Sequence, residues 1–183
     1  MSHTNHYFDT LQTVTFSINN LINILNKLPE FIESNKSSRG TYLISEDYIL
    51  SSRIAPDMFP LSRQIQIVSD MSKGLAGRLG NIDAPKFDDT ETTVAELITR
   101  LQKTLDFINS IKTEDIQNSD NRIVILPFMP TKSMSMGVYV NNFAMPNIYF
   151  HTITTYNILR SLGLNIGKMD FIGHIKMEDV TAE

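Results

Sequence analysis

Residues 7–28 have the sequence YFDTLQTVTFSINNLINILNKL, in which apolar side chains recur every three or four positions. Those apolar positions are Phe8, Leu11, Val14, Ile18, Ile22, Leu25 and Leu28. This spacing places them on one face of an amphipathic helix, which Pro29 is expected to end nearby. The opposite face carries Asn19, Asn20, Asn23 and Asn26. We expect those amides to contact solvent, and the apolar face to pack into a core.

Three further segments show the same helical periodicity, over residues 56–79 or 60–79, 93–111 and 137–162. Since a helix rises about 1.5 Å per residue, a segment of about twenty residues is about 30 Å long. Amphipathic helices of similar length bury their apolar faces by packing against one another. The periodicity therefore predicts an all-α fold, a four-helix bundle.

Local signals mark the ends of these helices. Gly80 is expected to end the second helix. Thr93-Val94-Ala95-Glu96 has the Thr-x-x-Glu form of a capping box, in which each of the two polar side chains satisfies a free backbone N–H. Pro146 is expected to kink or restart the fourth helix, and Gly163 to end it.

The connections depart from a simple up-down-up-down layout. Residues 30–52 form a long first crossover connection, with a short helical turn expected near residues 47–50. Residues 122–128 favour a β-strand, and residues 132–136 can pair with them across a turn at 129–131. This predicts a small β-hairpin between helices 3 and 4. Because two strands alone are marginally stable, the hairpin is expected to lean on the bundle.

The composition is that of an ordinary globular protein. Of 183 residues, 42% are hydrophobic, and we expect a single helical-bundle domain over residues 1–175 with a flexible C-terminal tail over residues 176–183. Cysteine is absent, which excludes disulfides, thiolate metal sites and cysteine nucleophiles. A net charge of −4 argues against nucleic acid or an anionic membrane as partner. With no basic leader and no apolar run of membrane-spanning length, we expect a cytoplasmic protein.

The fourth helix carries a histidine within its apolar face. At 100° per residue, His151 falls on the same side as Ala144, Ile158 and Leu162. A buried imidazole needs a polar partner, so His151 is the candidate for catalysis or ligand contact. The alternative is a core histidine that only satisfies a neighbouring amide or carbonyl.

Two residues of the fourth helix extend this site. Asn147 and Thr155 lie four positions before and after His151, so the three side chains can form one polar row. We interpret Asn147 and Thr155 as candidate ligand-binding residues.

The second helix offers a partner for the imidazole. Gln64 lies at the edge of the apolar stripe, and periodicity favours it as a third ligand-binding residue facing His151. Gln66, Asp70 and Arg63 lie on the opposite side. We expect Asp70 and Arg63 to face solvent.

Three motifs resemble a known family. They are RIAPDMFPLSRQIQI at residues 53–67, DTETT at residues 89–93 followed by Glu96-Leu97, and PNIYFH at residues 146–151. Together they resemble the bacterial and fungal domain-of-unknown-function family numbered nineteen ninety-three, which is grouped with the DinB/YfiT-like metalloenzymes. The resemblance extends from the first helix through Phe171. It implies a four-helix bundle with a site between helices, and no established activity.

The resemblance also bears on metal binding. DinB-like metalloenzymes hold a divalent metal with three histidines, one on the second helix and two spaced by four on the last. His151 is similar to the final histidine, but Asn147 stands four residues earlier, and the second helix has Gln64 and Gln66 instead of a histidine. The resemblance thus implies at most one divalent metal, with His151 as ligand, in an incomplete three-histidine set.

Two functions remain open from the sequence. The first is a small-ligand or degenerate metal pocket between helices 2 and 4, with metal-dependent transfer or hydrolysis as the reaction that the resemblance implies. The alternative is a noncatalytic bundle that acts through self-association, for example as a homodimer, or through binding another protein. The sequence leaves open whether the protein is an enzyme.

Overall fold

A computed structural model describes residues 3–37, 40 and 43–175 of the chain. The helices are α1 (His3–Leu25), α2 (Leu28–Ser34), α3 (Glu46–Ser51), α4 (Leu61–Gly80), α5 (Val94–Ser110), α6 (Met136–Val138), α7 (Met145–Ser161) and α8 (Lys168–Ile172). The strands are β1 (Ile123–Leu126) and β2 (Met129–Ser135). The fold is therefore mostly helical with a small two-stranded antiparallel sheet. The predicted tail over residues 176–183 lies outside the described residues.

The long helices surround one apolar core. α4 packs against α5 on one side and α7 on the other, and α1 contacts the same two helices. Each helix turns its predicted stripe inward; among the fully buried side chains are Leu11, Val14, Ile18, Ile65, Leu75, Leu97 and Leu101. Apolar periodicity therefore located the buried face of each long helix correctly.

Several local predictions are confirmed. Thr93 and Glu96 form the capping box at the start of α5, and α3 supplies the helical turn expected near residues 47–50. α4 ends at Gly80 as expected, and the left-handed conformation falls on the next residue, Asn81, at φ 54°. A π-helical segment, Tyr139–Ala144, joins α6 to α7, whose second residue is Pro146. Since proline lacks the N–H of a regular α-turn, this change of helix type occurs where the kink was expected.

The β-hairpin is present between α5 and α6, but its turn was misplaced. β1 pairs with β2 in antiparallel register from Ile123 opposite Ser135 to Leu126 opposite Met129. The turn is therefore at residues 127–128 and not at 129–131. A register shift between Ile125 and Leu126 accommodates the extra residues of β2.

The short helix α8 was not predicted, and it corrects the expectation for Asn20. Asn20 is 7% exposed and its Nδ2 donates to the carbonyls of Phe171, at 3.3 Å, and Ile172, at 2.9 Å. α8 packs across α1 and covers Asn20, whereas Asn19, Asn23 and Asn26 are exposed as expected. Among the described helices, none combines the length and apolar character needed to cross a membrane.

Candidate functional site

His151 on α7 meets Gln64 on α4, as predicted. Its Nδ1 lies 2.6 Å from the Gln64 Oε1, across the contact between the two helices. Gln64 is buried and His151 is half-buried. The amide at the edge of the α4 stripe therefore supplies the polar partner that an imidazole on the inner side of α7 requires.

A second hydrogen bond fixes which atoms face each other. The Nε2 of Gln64 donates to the carbonyl oxygen of Phe59 at 2.9 Å. The Oε1 must then face His151 as an acceptor, so the proton of a neutral imidazole lies on Nδ1. The His151 Nε2 is left as an unprotonated acceptor, with no hydrogen-bond partner in the described part of the chain.

The charge state of His151 follows from its surroundings. Burial lowers the pKa of the imidazole below 6.5, and the positive charge of nearby Arg63 lowers it further. Both effects disfavour a second proton. At neutral pH the ring is uncharged, and Nε2 is available as a hydrogen-bond acceptor or base.

The predicted polar row on α7 is not a hydrogen-bonded row of side chains. The Nδ2 of Asn147 donates to the Phe143 carbonyl at 2.7 Å, and the Thr155 Oγ1 donates to the His151 carbonyl at 2.9 Å. Both side chains thus bond to the backbone of their own helix. Thr155 is fully buried, whereas Asn147 is half-buried and closer to solvent.

The residues around His151 do not fit a divalent transition metal. In residues 3–37, 40 and 43–175, no group of three or more His, Cys, Asp or Glu could hold such an ion. Gln64 occupies the Nδ1 side of the imidazole, and the side chains of His6 and His174 are exposed near the chain ends. One imidazole with neutral amides is a weak donor set for zinc or nickel.

An exposed aromatic side chain lies against the imidazole, and a second belongs to the residue that binds Gln64. Phe150 is 54% exposed, and its ring lies edge-on to the His151 ring with 5.1 Å between centroids. Phe59, whose carbonyl binds Gln64, is 55% exposed. The imidazole therefore lies beside the exposed Phe150 ring, and the exposed Phe59 is the residue whose carbonyl orients Gln64.

A second polar centre was missed by the sequence analysis. Arg100 on α5 is only 2% exposed and forms ion pairs with Asp70 at 2.8 Å, Asp89 at 3.0 Å and Glu91 at 2.9 Å. Its Nη1 also donates to the Asp88 carbonyl at 3.0 Å. This arginine joins α4, α5 and the loop between them, and we call it, with its three carboxylate partners, the Arg100 cluster.

The expectation that Asp70 and Arg63 face solvent holds only in part, because their side chains are 30% and 36% exposed and both form ion pairs. Asp70 binds Arg100 and Lys73, and Arg63 pairs with Asp89. Gln66, on the side opposite the stripe, is also buried. The loop that follows α4 covers this face, so α4 is buried on two sides.

One signal in the sequence could have revealed Arg100. At 100° per residue it lies about 60° from Leu97, at the edge of the apolar stripe of α5. An arginine in that position is buried only if carboxylates meet it. The motif at residues 89–93 supplies two of them, Asp89 and Glu91.

Two adjoining cavities lie away from His151, beside the hairpin. The largest described has a volume of about 680 Å³ and lies between the second half of α4, the loop after it and β1. A neighbouring cavity of about 320 Å³ lies between α4, the hairpin turn and the π-helical segment. Neither is lined by the four predicted site residues, Gln64, Asn147, His151 and Thr155.

The comparisons with known proteins give a family and a fold. Residues 7–172 match the family described as "Domain of unknown function (DUF1993)". The chain is similar to the crystal structure of a DinB family member from Shewanella denitrificans, with 31% identity over 97% of this chain and 98% of that one, and a TM-score of 0.88. The search of curated proteins finds no match. The chain therefore belongs to the DUF1993 family, within the DinB-like superfamily.

Proposed function

We propose that this protein is a DinB-like four-helix bundle that binds a small molecule beside α4 and α7 without a metal. His151 Nε2 accepts a hydrogen bond from that molecule. The observation that carries the proposal is the chain of hydrogen bonds from His151 Nδ1 to Gln64 and from Gln64 to the Phe59 carbonyl. That chain fixes both the tautomer and the orientation of the imidazole.

The chemistry available to such an imidazole is that of an acceptor or general base. A neutral, oriented histidine with a free nitrogen can take a proton from a bound hydroxyl or similar group near neutral pH. Phe59 and Phe150 offer apolar surface to the rest of the molecule, so an aromatic alcohol is a suitable probe. Metal-dependent transfer or hydrolysis is not part of this proposal, because the donor set does not suit the ion. A cytoplasmic location, which the lack of cysteine supports, remains an expectation.

A second candidate function is self-association through the same surface. Exposed aromatic side chains rimmed by polar groups are typical of interfaces between proteins. Phe59 and Phe150 satisfy this description and could pack against a second copy of the chain. In that case His151 would only orient Gln64.

The tautomer of His151 provides a direct test. In nitrogen NMR spectra at pH 7.5 we expect the proton on Nδ1 and a free Nε2. Gln64→Leu should remove the acceptor and shift the population towards the Nε2–H form, whereas the exposed His174 should be unaffected. A wild-type His151 that already carries its proton on Nε2 would contradict the proposed geometry.

Ligand binding separates the two candidate functions. Titration with phenol should shift the His151 ring resonances saturably, and anisole, which lacks the hydroxyl, should bind at least several-fold more weakly. His151→Phe should abolish the difference between the two compounds. If phenol and anisole act alike, and sedimentation shows a dimer that Phe150→Ser converts to a monomer, self-association is the better interpretation.

The lowered pKa of His151 also predicts a pH effect on stability. In the unfolded chain the imidazole titrates near its ordinary pKa of about 6.5, whereas the folded protein resists protonation. Unfolding therefore takes up a proton as the pH falls below about 6.5, and the folded state loses stability until its own lower pKa is reached. The wild type loses this stability at low pH and His151→Gln does not, so the difference between their melting temperatures should be smallest at low pH. A constant difference between pH 7.5 and 5 would contradict this prediction.

A further inference from the structure

Arg78 on α4 stands between the two cavities described above. Gly74, Arg78 and Ala84 line both the 680 Å³ and the 320 Å³ cavity, so the two adjoin around the arginine. We call the combined space the Arg78 trough. Gly74 widens it, because a glycine leaves no side chain between the two halves.

The guanidinium of Arg78 is held in place but not neutralised. Its Nη1 donates to the Gly74 carbonyl at 2.9 Å and to the Tyr139 hydroxyl at 3.3 Å. The Cζ of Arg78 lies 5.2 Å from the centre of the Tyr139 ring. Among the described residues it has no carboxylate partner, and its Nε and Nη2 make no hydrogen bond. An oriented guanidinium with spare donors is suited to bind a planar anion.

The two halves of the trough differ in chemistry. The larger half has Asn81, Asp83 and Arg122 in its walls. The smaller half has Asp70, Lys73 and Lys86 at its walls, but most of its lining is apolar. Tyr139 and Phe143, both on the π-helical segment, stack there with ring centroids 6.0 Å apart. Phe128 at the hairpin turn lies 6.1 Å from the Phe143 ring and is 65% exposed. A ligand seated here would meet charge at Arg78 and aromatic rings beyond it.

We propose that the Arg78 trough binds a small carboxylate that carries an apolar tail. The carboxylate would pair with the spare nitrogens of Arg78, and the tail would lie along Phe128, Tyr139 and Phe143. This site is independent of the proposed function at His151.

The charges of the walls favour a single negative charge. Arg122 donates all its described hydrogen bonds to backbone carbonyls, including those of Arg78 and Leu79 at the end of α4. It thereby offsets the negative end of that helix. Asp83 adds one negative charge to the same half. In the smaller half Lys73 is paired with Asp70, and Lys86 adds one positive charge. Arg78, Lys86 and Asp83 together leave the walls with one net positive charge, which a single carboxylate balances and a phosphate dianion exceeds.

The trough and the His151 site can be tested separately. Gln64 and Arg78 lie at opposite ends of α4, about 20 Å apart along its axis. A ligand in the trough should shift the resonances of Tyr139, Phe143 and Arg78, and leave those of His151 unchanged. Failure at one site thus carries no consequence for the other.

Octanoate is the probe for this proposal, and its binding to the protein is measured by calorimetry and NMR. Binding should tighten from butyrate to octanoate by about three- to fourfold per methylene buried. Octanol and octyl phosphate should each bind at least tenfold more weakly than octanoate. Equal binding of octanol would overturn the role of Arg78, and tighter binding of octyl phosphate would overturn the choice of a carboxylate.

Two variants complete the test. Arg78→Met should weaken octanoate binding at least tenfold, whereas Arg160→Met, an exposed arginine on α7, should not change it. Because Arg78 also bonds within the fold, Phe128→Ala provides a second variant at an exposed position. It should weaken octanoate binding several-fold and leave butyrate binding unchanged. If Phe128→Ala and a folded Arg78→Met both bind octanoate as wild type does, the proposal is wrong.

Discussion

Replacing Arg100 by methionine is expected to lower the free energy of unfolding by about 3 kcal/mol. Arg100 is 2% exposed and joins three carboxylates, of Asp70, Asp89 and Glu91. Methionine keeps most of the buried stem but removes the positive charge. The remaining carboxylates would then repel one another, and the Asp88 carbonyl would lose its donor.

Chemical denaturation with urea, followed by circular dichroism, measures this effect. Lys103→Met is the matched control, because Lys103 is exposed on the same helix three residues later. A surface substitution of this kind should change the free energy of unfolding by less than about 0.5 kcal/mol. Arg100→Lys should restore little stability, since one ammonium cannot reach all partners of the planar guanidinium. Equal stabilities of Arg100→Met and Lys103→Met would show that the cluster is not stabilising.

The same cluster predicts a loss of stability in acid. Burial alone would raise the pKa of Glu91, but hydrogen bonds from Arg100 and Gln66 outweigh it and lower that pKa. The folded protein therefore holds Glu91 ionised at pH values where the unfolded chain takes up a proton. This contribution is complete above about pH 4.3, the ordinary pKa of glutamate, and is lost as the pH falls through the folded pKa. Glu91→Gln should flatten the dependence of the urea midpoint on pH in that range; an unchanged slope would contradict this assignment.

The sequence predicted those features that depend on local pattern. Apolar periodicity located the buried faces of the long helices, and the Thr93 to Glu96 signature identified the start of α5. The angle of Gln64 on α4 also identified the partner of His151, because both side chains lie at the edge of the contact between α4 and α7. In each case one helix face determines the environment.

Features that depend on chain segments folding back were not predictable in this way. Gln66 and Asp70 lie opposite the apolar stripe of α4, yet the loop at residues 81–93 carries the carboxylates that cover this face. Asn20 is covered by α8 for the same reason. The Arg78 trough combines α4, that loop and the hairpin, and no periodicity within one segment specifies their juxtaposition.

Alanine at position 77 is expected to destabilise the protein by about 2 kcal/mol, although alanine usually stabilises a helix relative to glycine by about 1 kcal/mol. A Cβ on Gly77 would lie 2.7 Å from the Ile82 carbonyl oxygen and 3.3 Å from the Ala84 backbone nitrogen. The Ile82 N–H in turn donates to the Gly77 carbonyl at 2.9 Å. The loop after α4 is thus packed directly on the helix backbone and cannot accept a methyl group without moving.

Gly74 provides the matched comparison on the same helix. A Cβ there would meet the Nη1 of Arg78 at 2.9 Å, and this side-chain end can shift at the cost of its hydrogen bonds to Gly74 and Tyr139, without any movement of the backbone. Gly74→Ala should therefore leave the free energy of unfolding unchanged or raise it slightly, while Gly77→Ala lowers it. Urea denaturation of both variants would settle the comparison, and a stabilising Gly77→Ala would refute it. Since the loop held at Gly77 leads directly to Asp83 and then to Asp89, the same substitution should also weaken the Arg78 trough and the Arg100 cluster.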